Sequence, residues 1–202
     1  METQSACRPG PFGPGGPVVR RPRPFGRGSR TKLAVVAATL LIAWGLKRHY
    51  SGARADDLWW ILTPTAHFVG VVTGATFTFQ PGEGYLARDR LSLIEKSCAG
   101  INFMIAAFGM LVFTLLHRVS SAKSAARVLG VSLMASYLAA VVVNAARIAL
   151  AMRLAAHPAA LPAFNSADVH RLEGIVVYFG SLVLLYELVR RLDCQVVRRV
   201  PS

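Results

Sequence analysis

Four long apolar runs constrain the fold of this 202-residue chain more than any other feature of its sequence. They cover roughly residues 33–46, 99–116, 128–152 and 174–188. A helix of about 20 residues crosses the hydrocarbon core of a membrane, and a helix satisfies its own backbone hydrogen bonds there. The composition agrees, because 53% of the residues are hydrophobic and only 16% are charged. The sequence therefore predicts an all-α integral membrane protein with about four transmembrane helices.

Basic residues are in large excess, with 23 Lys and Arg against 10 Asp and Glu. In a soluble protein this surplus would suggest nucleic acid, but here much of it flanks the apolar runs, where it orients the chain against the membrane. We therefore expect membrane lipid, and no nucleic acid, as a partner. Residues 1–32 are rich in Pro, Gly and Arg and predict a disordered basic cytoplasmic tail. Residues 33–190 would form the membrane-embedded domain, and residues 191–202 a second basic cytoplasmic tail.

The first apolar run has two interpretations. Residues 33–46 have the length of a signal-peptide core, and "ARA" at 53–55 resembles a cleavage site. Against cleavage, Lys47, Arg48 and Arg54 separate the core from that site, and the preceding tail is long for a signal peptide. We favour an uncleaved anchor helix.

Residues 56–74 are long enough to cross but are patterned differently from the four runs. Their apolar residues recur at helical spacing opposite Asp57 and His67, which predicts an external amphipathic helix, or two short ones, lying in the interface. Five crossings would separate the two basic ends of the chain, whereas four place both in the cytoplasm and satisfy the positive-inside rule. With four crossings residues 47–97 are external. Within them, residues 77–94 alternate around a Pro-Gly turn and predict a short β-hairpin.

Cys98 is the candidate nucleophile. The cysteines Cys7, Cys98 and Cys194 are too few and too scattered for a disulfide framework or a metal site. Cys98 begins the second crossing at the external surface, and Ser97 is available as its N-cap. A helix N-terminus favours a thiolate over a thiol. The alternative, common for buried cysteines, is a small side chain that packs and does not react.

Two further polar positions occur near the external ends of other crossings. Asn144 and Arg147 lie three residues apart and share a helix face. An ionisable group inside a membrane segment is expensive unless it faces the protein interior, so Arg147 suggests a functional site, the alternative being that it extends to the headgroups. His170 follows Ser166 and Asp168, either of which can cap the last crossing, and a helix N-terminus keeps imidazole neutral. An ordinary interfacial histidine is the alternative. Together these residues and Cys98 suggest thiol acyl transfer.

Three short blocks resemble a known family. "SCAG" at 97–100, "NAARI" at 144–148 and "HRLEG" at 170–174 resemble the Cys, Asn-x-x-Arg and His-x-x-x-Gly blocks of exosortases and archaeosortases. The segments "ADDLWWILTPTAHFVGVVTGATFTF" and "CAGINF" most resemble the exosortase K type. The resemblance covers roughly residues 33–190, although longer members have more crossings.

The resemblance implies a multi-pass cysteine transpeptidase in the cytoplasmic membrane of a prokaryote, with its active site on the external face. Its substrate would be an exported protein with a C-terminal sorting signal, formed by a short motif, a transmembrane helix and a basic tail. By the same resemblance Cys98 is the nucleophile, His170 the general base and acid, and Arg147 the charge stabiliser. In the mechanism that these roles suggest, amides at the helix start assist Arg147. Asn144 would position Arg147 or the substrate.

The sequence calls for no metal and no organic cofactor, and it leaves the sorting motif, the acyl acceptor and the oligomeric state open. Two other functions also stay open. One is a non-enzymatic membrane subunit, such as a transporter component or assembly factor, in which Arg147 binds an anion and Cys98 is inert. The other is a plain intramembrane thiol hydrolase.

Overall fold

The computed structural model describes residues 27–88, 92–156 and 166–198. The tail at residues 1–26, which the sequence predicts to be disordered, lies outside the described residues. The described residues form five α-helices and one antiparallel sheet of three short strands. The helices are α1 (Arg27–Gly52), α2 (Trp59–Thr73), α3 (Ile101–Leu115), α4 (Ala122–Ala156) and α5 (Ser166–Arg198). The strands are β1 (Phe77–Gln80), β2 (Gly84–Ala87) and β3 (Leu93–Ile94).

Three helical stretches among the described residues are long and apolar enough to cross a membrane: Gly28–Gly52, Lys96–Arg118 and Ala122–Leu154. They correspond to the first three predicted crossings, so the mainly helical fold is confirmed, and the three stretches indicate a membrane protein. The fourth crossing, in α5, stays a prediction. The first helix begins at Arg27. Residues 27–32, which were assigned to the disordered tail, are therefore helical.

The third helix is central, because α3 packs against α1, α4 and α5. At one end of the bundle the Lys47 ammonium donates to the Asn102 side-chain oxygen at 2.8 Å, which joins the end of α1 to the start of α3. At the other end Arg118 and His117 pair with the Asp193 carboxylate of α5, His117 Nε2 at 3.1 Å. Thus α1 runs antiparallel to α3, whereas α5 runs in the same direction as α3.

The predicted amphipathic helix is present as α2, preceded by a single turn of 3₁₀-helix at Asp56–Leu58. The sequence pattern marks an apolar face whose buried members are Leu58 in that turn and Ile61, Leu62, Thr65 and Val69 in α2, whereas Phe68 and Val72 of the same face are exposed. Pro64 lies inside α2 and has no N–H, so it cannot donate to the carbonyl of Trp60 four residues earlier. The hydroxyl of Tyr137 on α4 donates to that carbonyl at 2.8 Å instead. The Trp60 carbonyl, which Pro64 leaves without its helical donor, therefore forms a hydrogen bond that links α2 to α4.

The predicted hairpin is confirmed and gains a third strand. Phe77 to Gln80 pair with Gly84 to Ala87 around a turn whose Gly82 has a φ of 82° and donates its N–H to the Asp56 carboxylate at 2.9 Å. The third strand, β3, pairs with β2 and leads directly into the segment that carries Cys98. Pairing is close at Gly84, where an added Cβ would lie 2.3 Å from the Ile94 carbonyl oxygen. The sheet therefore fixes where the chain re-enters the helix bundle.

Candidate active site

Cys98 ends a single turn of 3₁₀-helix, Lys96–Cys98, just before α3. Its N–H donates to the Glu95 carbonyl at 2.9 Å, and the Ala99 N–H donates to the Lys96 carbonyl at 3.0 Å. Both amides are therefore engaged inside the turn. The thiol is free and half-buried.

The predicted cap of this helix is wrong. The N-cap of α3 is Gly100, which has a left-handed conformation, and no side chain caps the helix. Ser97 instead donates its hydroxyl to the Glu95 carboxylate at 2.7 Å, and its Oγ lies 3.8 Å from the Cys98 Sγ. Cys98 thus lies two residues before the N-cap of α3, within the first residues of the Lys96–Arg118 stretch. The small glycine was the sequence signal for this turn, because left-handed backbone favours glycine over serine.

Asn144 holds the turn that contains Cys98. Its side-chain amide Nδ2 donates to the Cys98 carbonyl oxygen, and the residue is only 1% exposed. The contact favours a glycine at position 100, since a Cβ there would lie 3.2 Å from the Asn144 Cγ and the side chain would have to shift. The prediction that Asn144 serves the site therefore acquires a specific contact, which is with the backbone of the predicted nucleophile.

Arg147 lies one turn further along α4 and is buried, with 9% of its surface exposed. Its guanidinium carbon lies 5.3 Å from the centre of the Tyr178 ring on α5, a cation–π geometry. Its Nε is buried and has no hydrogen-bond partner among the described residues. Gly174 approaches the same guanidinium, and a Cβ there would lie 3.6 Å from Nη1. Arg147 therefore faces the protein interior, as predicted, and does not extend to the headgroups.

Sequence reasoning missed Tyr178. Its hydroxyl donates to the Asn144 Oδ1 at 2.8 Å, and its ring stacks on Phe103 of α3 at 5.4 Å between centres. The available signal was spacing, because Tyr178 follows His170 by eight residues and Gly174 by four. Positions four residues apart lie on one face of a helix. That spacing predicts a common face for the three positions.

Some predicted residues fall outside what the structure describes. The backbone of His170 is part of α5, but its side chain lies outside the described residues. All of Cys7 and the side chain of Cys194 also lie outside the described residues. Among the described residues no group of three or more His, Cys, Asp or Glu side chains is arranged to hold a metal ion.

The arrangement supplies a half-buried thiol whose backbone is held by a buried amide, and a buried guanidinium one helical turn away on the same face of α4. A guanidinium removed from water is an effective partner for a carboxylate or for an oxygen that becomes negative during a reaction. Comparison of the chain with protein families, curated proteins and solved structures gives no significant match. Function must therefore be argued from these residues.

Proposed function

We propose that the protein is a membrane-embedded cysteine transpeptidase of the exosortase type, which cleaves C-terminal sorting signals of exported proteins. The observation that carries the proposal is the hydrogen bond from Asn144 to the carbonyl of Cys98, one turn from the buried Arg147. This hydrogen bond fixes the backbone of the turn that carries the thiol, and a nucleophile has to be held in a defined position. The link brings together two of the three blocks that resemble exosortases, although they are 46 residues apart in the chain.

The third block is on the neighbouring helix. Gly174 of α5 lies against the Arg147 guanidinium, and His170 precedes it by four residues, about 6 Å of helix rise. The two positions share a helix face. This supports a role for His170 at the same end of the bundle as Cys98 and Arg147.

In the proposed reaction the Cys98 thiol gives its proton to His170, and the thiolate attacks the scissile carbonyl carbon. Negative charge develops on the carbonyl oxygen. Because the amides of Cys98 and Ala99 already donate within their turn, we assign its stabilisation chiefly to Arg147. The C–N bond then breaks, His170 returns the proton to the leaving amine, and the acyl group stays on Cys98 as a thioester. An amine, hydroxyl or water acceptor gives a proton to His170 and attacks the thioester carbonyl, and Cys98 leaves as a thiolate that takes the proton back from His170.

The proposed location is the cytoplasmic membrane of a prokaryote, with α1, α3, α4 and α5 as four crossings and Cys98 at the external ends. Lys47 and Asn102 mark that end of the bundle through their contact. Labelling of single cysteines with an impermeant reagent tests the arrangement. A cysteine at Gln80 should be labelled from outside and one at Arg20 only after permeabilisation. External labelling at Arg20 would mean that α2 also crosses.

The function is tested by co-expressing the protein with exported proteins that end in a short motif, a transmembrane helix and a basic tail. We expect Cys98→Ser to abolish processing while it accumulates normally, because a hydroxyl is a far poorer nucleophile than a thiolate. Cys7→Ser and Cys194→Ser are matched controls and should process normally. If Cys98→Ser processes at the wild-type rate, Cys98 is not the nucleophile and the cysteine transpeptidase proposal fails. The mass of the product separates transfer from hydrolysis.

A further inference from the structure

Tyr178 contacts both of the residues that connect α4 to the site, and it does so with different parts of its side chain. Its hydroxyl donates to Asn144 at 2.8 Å. The centre of its ring lies 5.3 Å from the Arg147 guanidinium carbon. The ring also stacks on Phe103 at an interplanar angle of 29°. Helices α3, α4 and α5 therefore meet at one aromatic side chain.

The hydroxyl completes the hydrogen bonding of a buried amide. The oxygen of an asparagine side chain only accepts hydrogen bonds, whereas its nitrogen only donates. With Tyr178 donating to Oδ1, the Nδ2 of Asn144 faces the Cys98 carbonyl. Asn144 is 1% exposed, so water cannot readily replace a lost partner. Removing the hydroxyl would leave Oδ1 unsatisfied and would favour rotation of the amide away from the Cys98 turn.

The Tyr178 ring contacts the second group, which is the Arg147 guanidinium. Arg147 is an uncommon side chain to bury, and the face of an aromatic ring attracts a guanidinium and limits its movement. The Arg147 Nε has no hydrogen-bond partner among the described residues, so hydrogen bonding at that atom does not hold the group. Contact with the Tyr178 ring is therefore one of the described contacts that position the guanidinium.

We propose that Tyr178 is a positioning residue of the site, which acts on the Cys98 backbone through Asn144 and on Arg147 through its ring. The part that concerns processing rests on the proposed function. The two actions are separable, since Tyr178→Phe removes the hydroxyl and keeps the ring, whereas Tyr178→Leu removes both. Tyr186→Phe is the matched control, because Tyr186 lies on the same helix and is 43% exposed.

The first measurement is the rate at which a maleimide labels Cys98 in native membranes, with Cys7 and Cys194 replaced by Ser so that Cys98 is the only thiol. Tyr178→Phe should speed labelling about threefold to tenfold, the factor that corresponds to one net hydrogen bond, because the half-buried thiol becomes more accessible when its turn loosens. Asn144→Ala should have the same effect. In the Asn144→Ala background Tyr178→Phe should add nothing, since the pathway through Asn144 is already lost.

The second measurement is processing of a sorting-signal substrate. Tyr178→Phe should lower kcat by a similar factor and leave KM unchanged, and Tyr178→Leu should lower kcat further because Arg147 loses its ring. A structural role alone would not give a loss confined to kcat. Equal labelling of Cys98 in Tyr178→Phe and Tyr186→Phe would overturn the proposal, as would additive effects with Asn144→Ala. If the wild type processes nothing but the labelling pattern holds, the positioning role stands and the transpeptidase function fails.

Discussion

Replacing Gly100 with alanine should be among the most damaging small changes in the protein. Gly100 has a φ of 67°, and a side chain in the left-handed region costs about 1–2 kcal/mol. The added Cβ would also lie 3.2 Å from Cγ and 3.3 Å from Cβ of Asn144. Asn144 has little freedom to move, because both ends of its amide are hydrogen-bonded, so overpacking adds about 1–3 kcal/mol. Alanine also lowers the conformational entropy of the unfolded chain, which offsets about 0.4–1 kcal/mol of this loss. The net expected loss is about 1–5 kcal/mol.

Alanine substitutions at two other glycines separate the conformational cost from the cost of overpacking. Gly74 has a φ of 75° but no atom within 4 Å of an added Cβ, so Gly74→Ala carries only the conformational cost. Gly109 lies inside α3 with open space around it, so Gly109→Ala should be neutral or should stabilise by about 0.5–1 kcal/mol. Thermal denaturation in detergent should rank stability as Gly109→Ala, then Gly74→Ala, then Gly100→Ala.

Labelling of Cys98 by a maleimide gives a second readout of the same change, and Gly100→Ala should speed it because the turn is displaced from Asn144. If Gly100→Ala is as stable as Gly74→Ala and labels at the wild-type rate, the close contact between Gly100 and Asn144 does not exist in the membrane. If Gly100→Ala is as stable as Gly109→Ala, the left-handed backbone conformation of Gly100 is wrong as well.

Three further predictions concern the surrounding residues. Arg147→Lys keeps the charge but loses the planar fork of donors, so it should accumulate normally while an in vivo processing assay shows a fall of about 100-fold or more; normal processing would remove Arg147 from the chemistry. Gly174→Leu should displace the guanidinium and reduce processing, whereas Gly180→Leu, with open space around it, should not, and equal activities would contradict the contact. Tyr137→Phe should lower stability by about 1 kcal/mol, and adding Pro64→Ala should restore it by supplying an N–H to the freed carbonyl; a thermal-stability measurement of the double variant without recovery would refute that explanation.

The apolar pattern was sufficient to predict the helices but not their ends. The third run was predicted to end near Met152, yet α4 continues to Ala156, because helical hydrogen bonding does not stop where hydrophobicity stops. Asn144 and Arg147 were placed on one face from their spacing alone, and both are buried. The interior position of Arg147 followed from the cost of placing a charge in lipid.

The start of α3 could not be predicted in the same way. Serine is a common N-cap, and so Ser97 was favoured, but its hydroxyl pairs with Glu95 and the chain turns at Gly100. Gly100 was a local signal for the turn, but its contact with Asn144, a distant residue, is visible only in three dimensions. Tyr178 was overlooked for a related reason. A tyrosine within an apolar run often serves as an interfacial anchor, and its partners on α3 and α4 are visible only in three dimensions. The third strand has two residues, too few to give an alternating pattern.

The most direct test of the proposed function is to detect an acyl group on Cys98. Purified protein with Cys98 as its only cysteine is mixed with a sorting-signal substrate, quenched in acid and analysed by intact mass. The proposal predicts an adduct equal in mass to the acyl portion of the substrate that precedes the cleavage site. Hydroxylamine should remove this adduct, and Cys98→Ser should not form it within the same reaction time. Cleavage of the substrate without any adduct on Cys98, or an adduct that resists hydroxylamine, would contradict a thioester mechanism.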